Sequence, residues 1–351
     1  MEESLSDLLV EYELAARANL NPAAFDFIAA GAGDELSLEE SRAAWRRYRL
    51  RPRIFRGGTA PDLSTDVLGA HLAMPLIVAP TAYQVVAHAD GEVETARGVS
   101  AAGGLMVVTT RATRTLEEIA AELHGPWWYQ VYVVKERRLT EELARRAAGS
   151  GATALVLTVD TPYPGFKRRG HVAPVSPEQH LVNFGTHLTP GAAFEEVTVG
   201  IDQDASIRLE TIAWLRDIAG LPVLVKGVLR ADDAVACIDA GAAGVVVSNH
   251  GGRQLDRAIA TAVALPEIVE AIAGRVPILV DGGIMSGTDV FVALALGADA
   301  TMIGRPVLWG LAAAGAQGVQ RVLDGYRTEL GHAMGLAGVV ATGDFSRDLV
   351  V

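Results

Sequence analysis

The stretch AGVVVSNHGGRQLD, Ala243 to Asp256, decides the fold. A short β-branched segment runs directly into Ser-Asn-His, two glycines and an arginine. Strands that are buried on both faces of a parallel sheet have this uninterrupted apolar character. The stretch therefore predicts one strand of an α/β protein, with chemically active side chains at its carboxyl end.

Segments of the same apolar character recur along the chain, at 74–81, 104–110, 127–133, 153–160, 221–227, 243–249, 276–283 and 299–305. Stretches with helical periodicity lie between them, and several end in glycine, the usual residue just past a helix. Eight β-then-α units predict a (β/α)8 TIM barrel, and a doubly wound open sheet is the alternative.

We expect residues 1–351 to form a single domain, because barrels of this length commonly fold as one unit. Residues 1–50 predict two or three helices before the barrel. The polar stretch at about 161–205 follows the fourth strand and has little periodicity. A long loop at that position is a candidate lid over the active face.

Composition excludes several classes of protein. Half of the residues are hydrophobic and the mean hydropathy is +0.26, values that support a large core. No apolar run reaches the roughly 18 residues of a membrane helix, and the acidic start MEESLSDLLVEYE is unlike a signal peptide. We therefore expect a cytoplasmic protein without membrane contact.

A formal net charge of −12 opposes nucleic-acid binding, and the single cysteine, Cys237, opposes disulfides and cysteine metal sites. No metal is expected.

The carboxyl ends of the strands form the active face of a TIM barrel. The residues at these ends are Thr81, Thr109, Gln130, Tyr132, Thr158, Asp160, Lys226, Ser248, His250, Asp281, Gly304 and Arg305. Hydroxyls, an amide, carboxylates, a lysine and a histidine would converge there, which indicates a binding or catalytic site.

Two segments after strands seven and eight predict an anion site: VDGGIMSGTDV (280–290) and IGRPV (303–307). Gly282 and Gly283 let backbone N–H groups approach a ligand, a helix begins near Thr288, and Arg305 adds positive charge. Phosphate is the expected anion at this place in such barrels. The alternative is that the glycines only form tight turns.

His250 and Arg253 are separated by two glycines. Histidine accepts protons near neutral pH, and arginine recognises a carboxylate through two hydrogen bonds. The pair suits an acid with a reactive α-carbon, with Asp160 orienting the imidazole and Lys226 neutralising an anion on a cofactor. A satisfied buried histidine is the alternative.

At SNHGGRQLD the chain resembles the FMN-dependent 2-hydroxy-acid oxidase/dehydrogenase family, the group of glycolate oxidase, lactate oxidase and mandelate dehydrogenase. The resemblance extends over nearly the whole chain through GAGDELSLEESRAAWRRYRLRPR, PLIVAPTA, QVY, TVDTP, LVKGV, DGGI, GTDV and IGRPV.

The resemblance implies an FMN site made by Pro80, Thr81, Ala82, Thr109, Gln130, Thr158, Lys226, Ser248, Asp281, Gly282, Gly283, Gly304 and Arg305. It implies that His250 is the catalytic base, paired with Asp160, and that Arg253 binds the substrate carboxylate. Tyr132 would hydrogen-bond the substrate oxygen. It further implies an L-2-hydroxy acid substrate, oxygen or another electron acceptor, and a homotetramer. Ala82 and the absence of a hydrophobic stretch in the long loop favour an oxidase.

The sequence departs from the family pattern at four positions. Phe27 stands where a tyrosine is usual, Lys167 where an arginine clamps the carboxylate, and Arg111 where an aromatic residue is frequent. Met285 replaces an arginine in the phosphate loop. We expect a remodelled pocket in which Arg111 or Lys167 binds a polar or anionic part of a less common hydroxy acid. Drift with compensation is the alternative.

Two other functions remain open at this point. One is an FMN barrel with different chemistry, such as a type 2 isopentenyl diphosphate isomerase. The other is a flavin-binding homologue without activity. The intact set of His250, Arg253 and Asp160 favours oxidation of a hydroxy acid.

Overall fold

The computed structural model describes residues 4–56, 60–184 and 200–351. Three helices precede the barrel: α1 (Leu5–Asn19), α2 (Pro22–Ala29) and α3 (Leu36–Trp45). A short antiparallel hairpin follows, formed by β1 (Thr65–Val67) and β2 (Ala70–Leu72). The predicted N-terminal helical extension is thus confirmed.

Eight parallel strands close into a barrel in the order β10-β3-β4-β5-β6-β7-β8-β9. These strands are β3 (Leu76–Val78), β4 (Leu105–Thr109), β5 (Trp128–Val131), β6 (Ala154–Thr158), β7 (Val223–Val228), β8 (Gly244–Val247), β9 (Ile278–Val280) and β10 (Ala300–Ile303). The last strand pairs with the first, with Met302 opposite Ile77. This closure confirms the TIM barrel and excludes the doubly wound sheet.

Helices cover the outside of the barrel. In chain order they are α4 (Gly91–Ala101), α5 (Leu116–Ala121), α6 (Arg137–Gly149), α7 (Pro177–Leu181), α8 (Glu210–Ala219), α9 (Ala231–Asp239), α10 (Thr261–Ile272), α11 (Gly287–Ala295) and α12 (Arg305–Ala337). Helix α12 is interrupted at Ala314 and Gly315, whose backbone angles are not helical.

Alternate strand residues separate two cores. Inward-facing side chains such as Ile77, Trp128 and Val246 form a cluster inside the barrel. Their neighbours along each strand, such as Val245 and Val247, pack in a second cluster with the helices. Because both faces of the barrel strands are buried, these strands are apolar except near their carboxyl ends, which is why the sequence marks them so clearly.

The hairpin of β1 and β2 was not predicted. Its Val67, Ala70 and Leu72 side chains belong to the cluster inside the barrel. The hairpin precedes β3 directly, so it covers the amino-terminal end of the barrel and leaves the carboxyl end for the site.

The predicted long loop of about 161–205 contains α7 and lies only partly within the described residues, since 185–199 fall outside them. Its role as a lid stays a prediction. Among the helices described, none has the length and apolar character required to cross a membrane.

Candidate active site

A row of buried polar side chains connects the ends of three neighbouring strands. The Thr109 hydroxyl donates to Gln130 Oε1 at 3.0 Å, and Gln130 Nε2 donates to Thr158 Oγ1 at 3.1 Å. All three side chains are buried. These hydrogen bonds fix the amide and the two hydroxyls at the carboxyl ends of the three strands.

Lys226 is the buried cation of the site. Its Nζ lies 3.0 Å from Asp281 Oδ2 and donates to Ser248 Oγ at 2.8 Å. Burial acts to lower the pKa of Lys226, but attraction to Asp281 and Asp160 outweighs burial and raises it. A β-bulge at Gly227 follows, where an added Cβ would lie 2.6 Å from the Asp160 Cβ. A side chain at position 227 would therefore collide with Asp160, so glycine is required there for Lys226 and Asp160 to lie at adjacent strand ends.

His250 is held in one orientation by Asp160. Its Nδ1 lies 2.9 Å from Asp160 Oδ1, and its backbone N–H donates to Ser248 Oγ at 3.1 Å. Burial acts to raise the pKa of Asp160, but the charge and hydrogen bond of His250, with the charge of Lys226, lower it. An ionised Asp160 only accepts hydrogen bonds, so Nδ1 carries the proton and Nε2 is free to accept another.

The backbone at His250 is strained. Its φ is +56°, and Gly251 and Gly252 follow with φ of +61° and +74°. A non-glycine residue in this region costs of order 1–2 kcal/mol and is found where the surrounding structure enforces it, frequently at functional sites. The turn places the imidazole beyond the end of β8, against Asp160.

Arg253 and Lys167 make the entrance to the site electropositive. Burial lowers the pKa of Arg253 to about 10, and burial together with the charges of Arg253 and Arg305 lowers the pKa of Lys167 to about 8. The Arg253 guanidinium lies 5.3 Å from the centre of the Phe27 ring. Tyr132 is close by, and burial raises its pKa, so its phenol keeps its proton.

The two arginines that follow Lys167 do not line the cleft in its place. Arg169 pairs with Asp26 at 2.8 Å and with Glu35 at 3.0 Å, and Arg168 pairs with Asp34. These ion pairs anchor the loop to the N-terminal extension. Lys167 is consequently the cation of this segment that faces the cleft.

Arg305 is bound by backbone carbonyls. Its Nε donates to the Ile28 oxygen at 3.2 Å, one terminal nitrogen to Gly251 at 2.9 Å and the other to Ala30 at 3.0 Å. Burial lowers the pKa of Arg305 to about 9, with a contribution from Arg253. The side chain therefore remains charged near neutral pH while its donors are directed at the end of α2.

Helix α3 packs directly on the glycine turn after β9. An added Cβ at Gly283, where φ is +82°, would lie 2.2 Å from the Ser41 carbonyl oxygen. Trp45 Nε1 donates to the Gly282 oxygen at 2.7 Å, and Asn249 Nδ2 donates to Ser41 Oγ at 2.9 Å. Close packing against α3 thus requires glycine at this turn, and binding of a phosphate there stays a prediction.

A cleft of about 220 Å³ lies over these groups. The predicted residues that line it are Phe27, Pro80, Thr81, Ala82, Thr109, Tyr132, Lys167, Lys226, His250, Arg253, Asp281, Gly282, Gly283, Gly304 and Arg305. Gln130, Thr158, Asp160 and Ser248 are not in the lining, and each bonds to one of the residues already described.

Arg111 is placed differently from the other predicted site residues. It is not among the described residues that line the cleft. Its guanidinium donates to the Ile201 carbonyl oxygen and lies 5.4 Å from the Phe184 ring centre. The structure therefore brings Lys167 and Phe27 to the cleft but directs Arg111 toward the end of the long loop.

Of the N-terminal extension, the sequence reasoning placed only Phe27 at the site and missed three other residues. Ile28, Leu38 and Arg42 also line the cleft. Their helices precede the barrel, and their contacts join residues more than 200 positions apart, such as Asn249 and Ser41. No local pattern in the sequence reports such packing.

The chain is similar to known proteins along its length. The family model for FMN-dependent dehydrogenase matches residues 16–351. L-lactate oxidase of Nostoc sp. is 44% identical over 345 residues, which cover 94% of each chain. Glycolate oxidase 1 of Zea mays is 42% identical over 353 residues, covering 98% of this chain and 95% of the relative.

A solved structure has the same architecture. The crystal structure of mandelate oxidase with (S)-4-hydroxymandelic acid superposes with a TM-score of 0.89 at 41% identity, covering 98% of both chains. The likeness thus extends over nearly the whole of both chains.

Proposed function

Because the chain belongs to the FMN-dependent dehydrogenase family, we propose that it oxidises an L-2-hydroxy acid to the 2-oxo acid with FMN as its cofactor. The observation that carries the proposal is the His250–Asp160 pair, 2.9 Å apart, in the same cleft as Arg253 and Lys167. A base beside two cations is suited to an acid that loses a proton near its carboxylate.

The cleft fits FMN in its distribution of charge and hydrogen-bonding groups. Asp281 lines the cleft, and its Oδ1 is a buried acceptor without a hydrogen-bond partner among the described residues. Hydroxyl donors of a ribityl chain would satisfy such acceptors, since buried polar groups are otherwise costly. The cations and the glycine turn at Gly282 and Gly283 suit a phosphate.

The residues proposed to hold FMN form two groups. Pro80, Thr81, Ala82, Thr109 and Gln130 are proposed to contact the ring system. Those proposed for the pyrimidine side, ribityl chain and phosphate are Thr158, Lys226, Ser248, Asp281, Gly282, Gly283, Gly304 and Arg305. When bound, FMN supplies the two-electron acceptor of the reaction.

His250 is proposed as the catalytic base. Its Nε2 accepts a proton from the substrate while Nδ1–H donates to Asp160, whose negative charge stabilises the imidazolium that forms. The strained backbone at His250 and the hydrogen bond to Ser248 hold the ring in place. Lys226 lines the cleft, and its positive charge stabilises the negative charge that develops during oxidation.

Arg253 and Lys167 are proposed to bind the substrate carboxylate. The Arg253 guanidinium can donate two parallel hydrogen bonds, whereas Lys167 contributes a point charge. The Tyr132 phenol, which keeps its proton, donates to the substrate oxygen. Phe27 offers an apolar ring in this pocket, so it holds the substrate by packing and stacks on Arg253.

The remodelled pocket is proposed to favour a larger hydroxy acid than glycolate or lactate. Its support is the position of Phe27 and Lys167 in the cleft lining. Contact between Arg111 and the substrate stays a prediction, because the described side chain lies toward Ile201 and Phe184. A kinetic panel of aliphatic and aryl 2-hydroxy acids tests this proposal, and equal or greater kcat/KM for glycolate or lactate would contradict it.

Anaerobic mixing of the FMN-loaded protein with 2-hydroxy acids tests the reaction itself. We expect the visible flavin absorbance to bleach and the 2-oxo acid to form in equal amount. Readmission of air should restore the absorbance with one peroxide per turnover, as oxygen is the proposed acceptor. A protein that binds FMN but is not bleached by any acid of the panel would refute the proposal.

Assembly and location are separate proposals. We propose the homotetramer that the family resemblance implies and the cytoplasmic location expected from the sequence. Light scattering coupled to gel filtration measures the first, and fluorescence imaging of the tagged protein in its native cell measures the second.

A further inference from the structure

We propose that Arg42, on helix α3 outside the barrel, is a phosphate-binding residue for FMN and supplies the cation of the glycine turn that Met285 does not. The inference rests on the proposed function, because it concerns the cofactor of that reaction. It assigns a binding role to the N-terminal extension, which would complete the cofactor site from outside the barrel.

The position of Arg42 follows from the packing of α3. An added Cβ at Gly283 would lie 2.8 Å from the Arg42 backbone nitrogen and 2.2 Å from the Ser41 carbonyl oxygen. The hydrogen bond from Trp45 to Gly282 fixes the helix one turn further along. Arg42 is therefore anchored beside the glycine turn, and its side chain lines the cleft together with Met285.

The charge of Arg42 has no partner within the described part of the chain. No hydrogen bond or ion pair of its guanidinium is found there, whereas its neighbour Arg47 has a carboxylate, Glu40, at 3.9 Å. The side chain is half-buried. An unpaired cation in a partly desolvated cleft is unfavourable. An anionic ligand that supplies the opposite charge would stabilise it.

The other cations near the turn already have partners among the described residues. Arg305 directs its donors to the carbonyl oxygens of Gly251, Ile28 and Ala30. Lys226 is paired with Asp281, and Met285 has no charge. The positive charge of Arg42 contributes to lowering the pKa of Arg305, and both side chains line the same cleft.

FMN and riboflavin distinguish a phosphate contact from a general defect, since they differ in the phosphate alone. We expect Arg42→Gln to raise the Kd of the apoprotein for FMN about 10- to 100-fold, the range for loss of a hydrogen bond to a charged group. The Kd for riboflavin should change less than twofold. Flavin fluorescence quenching measures both, and increasing salt should weaken FMN binding less in the variant than in the wild type.

Arg47→Gln is the matched control, because Arg47 lies just past the end of α3 and its side chain is exposed. It should leave both Kd values unchanged. Arg42→Lys, which keeps the charge without the planar fork, should lose less affinity than Arg42→Gln. If Arg42→Gln does not yield a folded apoprotein by circular dichroism, Arg42→Lys carries the same FMN-against-riboflavin comparison. Introducing Met285→Arg into Arg42→Gln should restore part of the FMN affinity.

Unchanged FMN affinity in Arg42→Gln, or an equal loss for FMN and riboflavin, would overturn the assignment of Arg42. Either result leaves the hydroxy-acid oxidase proposal intact if the wild type binds FMN and is bleached by substrate. A wild-type protein that binds neither flavin would overturn both.

Discussion

Arg253 and Arg305 share the same two backbone acceptors: each guanidinium donates to the carbonyl oxygens of Ile28 and Ala30. These oxygens lie at the carboxyl end of α2, where the helix carries partial negative charge. A short helix outside the barrel thus holds two half-buried cations at the mouth of the cleft. Carbonyl dipoles offset their charge only in part, which leaves the cleft prepared for anions.

Substitution of Arg253 should show how much of substrate binding depends on this arrangement. Arg253→Lys keeps the charge but loses the two-pronged hydrogen bond and the contact with Phe27. Loss of a buried charged hydrogen-bonding group costs about 2–5 kcal/mol, so we expect kcat/KM to fall at least 30-fold, mostly through KM. Arg257→Lys, at an exposed site four residues on, is the control and should behave as wild type. A normal KM in Arg253→Lys would mean that the carboxylate binds elsewhere.

The His250–Asp160 pair predicts separate effects on chemistry and on cofactor binding. In His250→Gln we expect the rate of flavin reduction to fall about 10²- to 10⁴-fold, the usual contribution of a general base, with little change in the Kd for FMN. Asp160→Asn should also slow reduction, because the amide no longer stabilises the imidazolium. Stopped-flow absorbance under anaerobic conditions measures the rates. Reduction of His250→Gln at the wild-type rate would remove His250 from the mechanism.

Sequence predicted the barrel because its strands are buried on both faces and are marked by continuous apolar runs. The predicted runs extend beyond the strands at the carboxyl end, as in 243–249 against Gly244–Val247. These extra residues leave the sheet so that Ser248 and His250 can turn into the site. The hairpin of β1 and β2 escaped prediction because each strand has only three residues, too few to establish a periodic pattern.

The candidate site was predictable where it follows a strand, and not where it depends on packing between distant segments. His250, Lys226 and Asp281 all lie at strand ends that the sequence marks. The direction of Arg305, in contrast, is set by carbonyl oxygens of α2, and the position of Arg42 is set by the contact of α3 with Gly283. Such contacts link segments more than 200 residues apart, so local patterns contain no information on them.

The contact between Gly283 and α3 predicts that this glycine is required for both stability and cofactor binding. Gly283→Ala should force α3 away from the turn, because its Cβ would overlap the Ser41 carbonyl oxygen. Gly274→Ala is the matched control, with φ of +73° and open space around the added Cβ. The control should lose only the backbone cost of about 1–2 kcal/mol. We expect the thermal midpoint of Gly283→Ala to lie clearly below that of Gly274→Ala, with weaker FMN binding. Equal midpoints would indicate that α3 adapts without cost.

The lowered pKa of Lys167 predicts how substrate binding changes with pH. Burial and the nearby arginines lower this pKa from its ordinary value to about 8, so the protonated, carboxylate-binding form is lost as the pH rises through that value. Arg253, with a pKa of about 10, stays charged over the same range. The KM of the wild type should therefore rise between pH 7 and pH 9.5, whereas kcat should change less.

Lys167→Arg separates this effect from other titrations. Its guanidinium keeps its charge throughout the range, so the rise in KM with pH should disappear. Lys167→Met should have a high KM that is nearly independent of pH, because no positive charge is present at this position at any pH. Lys135→Arg, at an exposed lysine paired with Asp202, should retain the wild-type profile. Steady-state kinetics at constant ionic strength measures all four proteins. A wild-type rise in KM that persists in Lys167→Arg would assign the titration to another group and remove Lys167 from the carboxylate site.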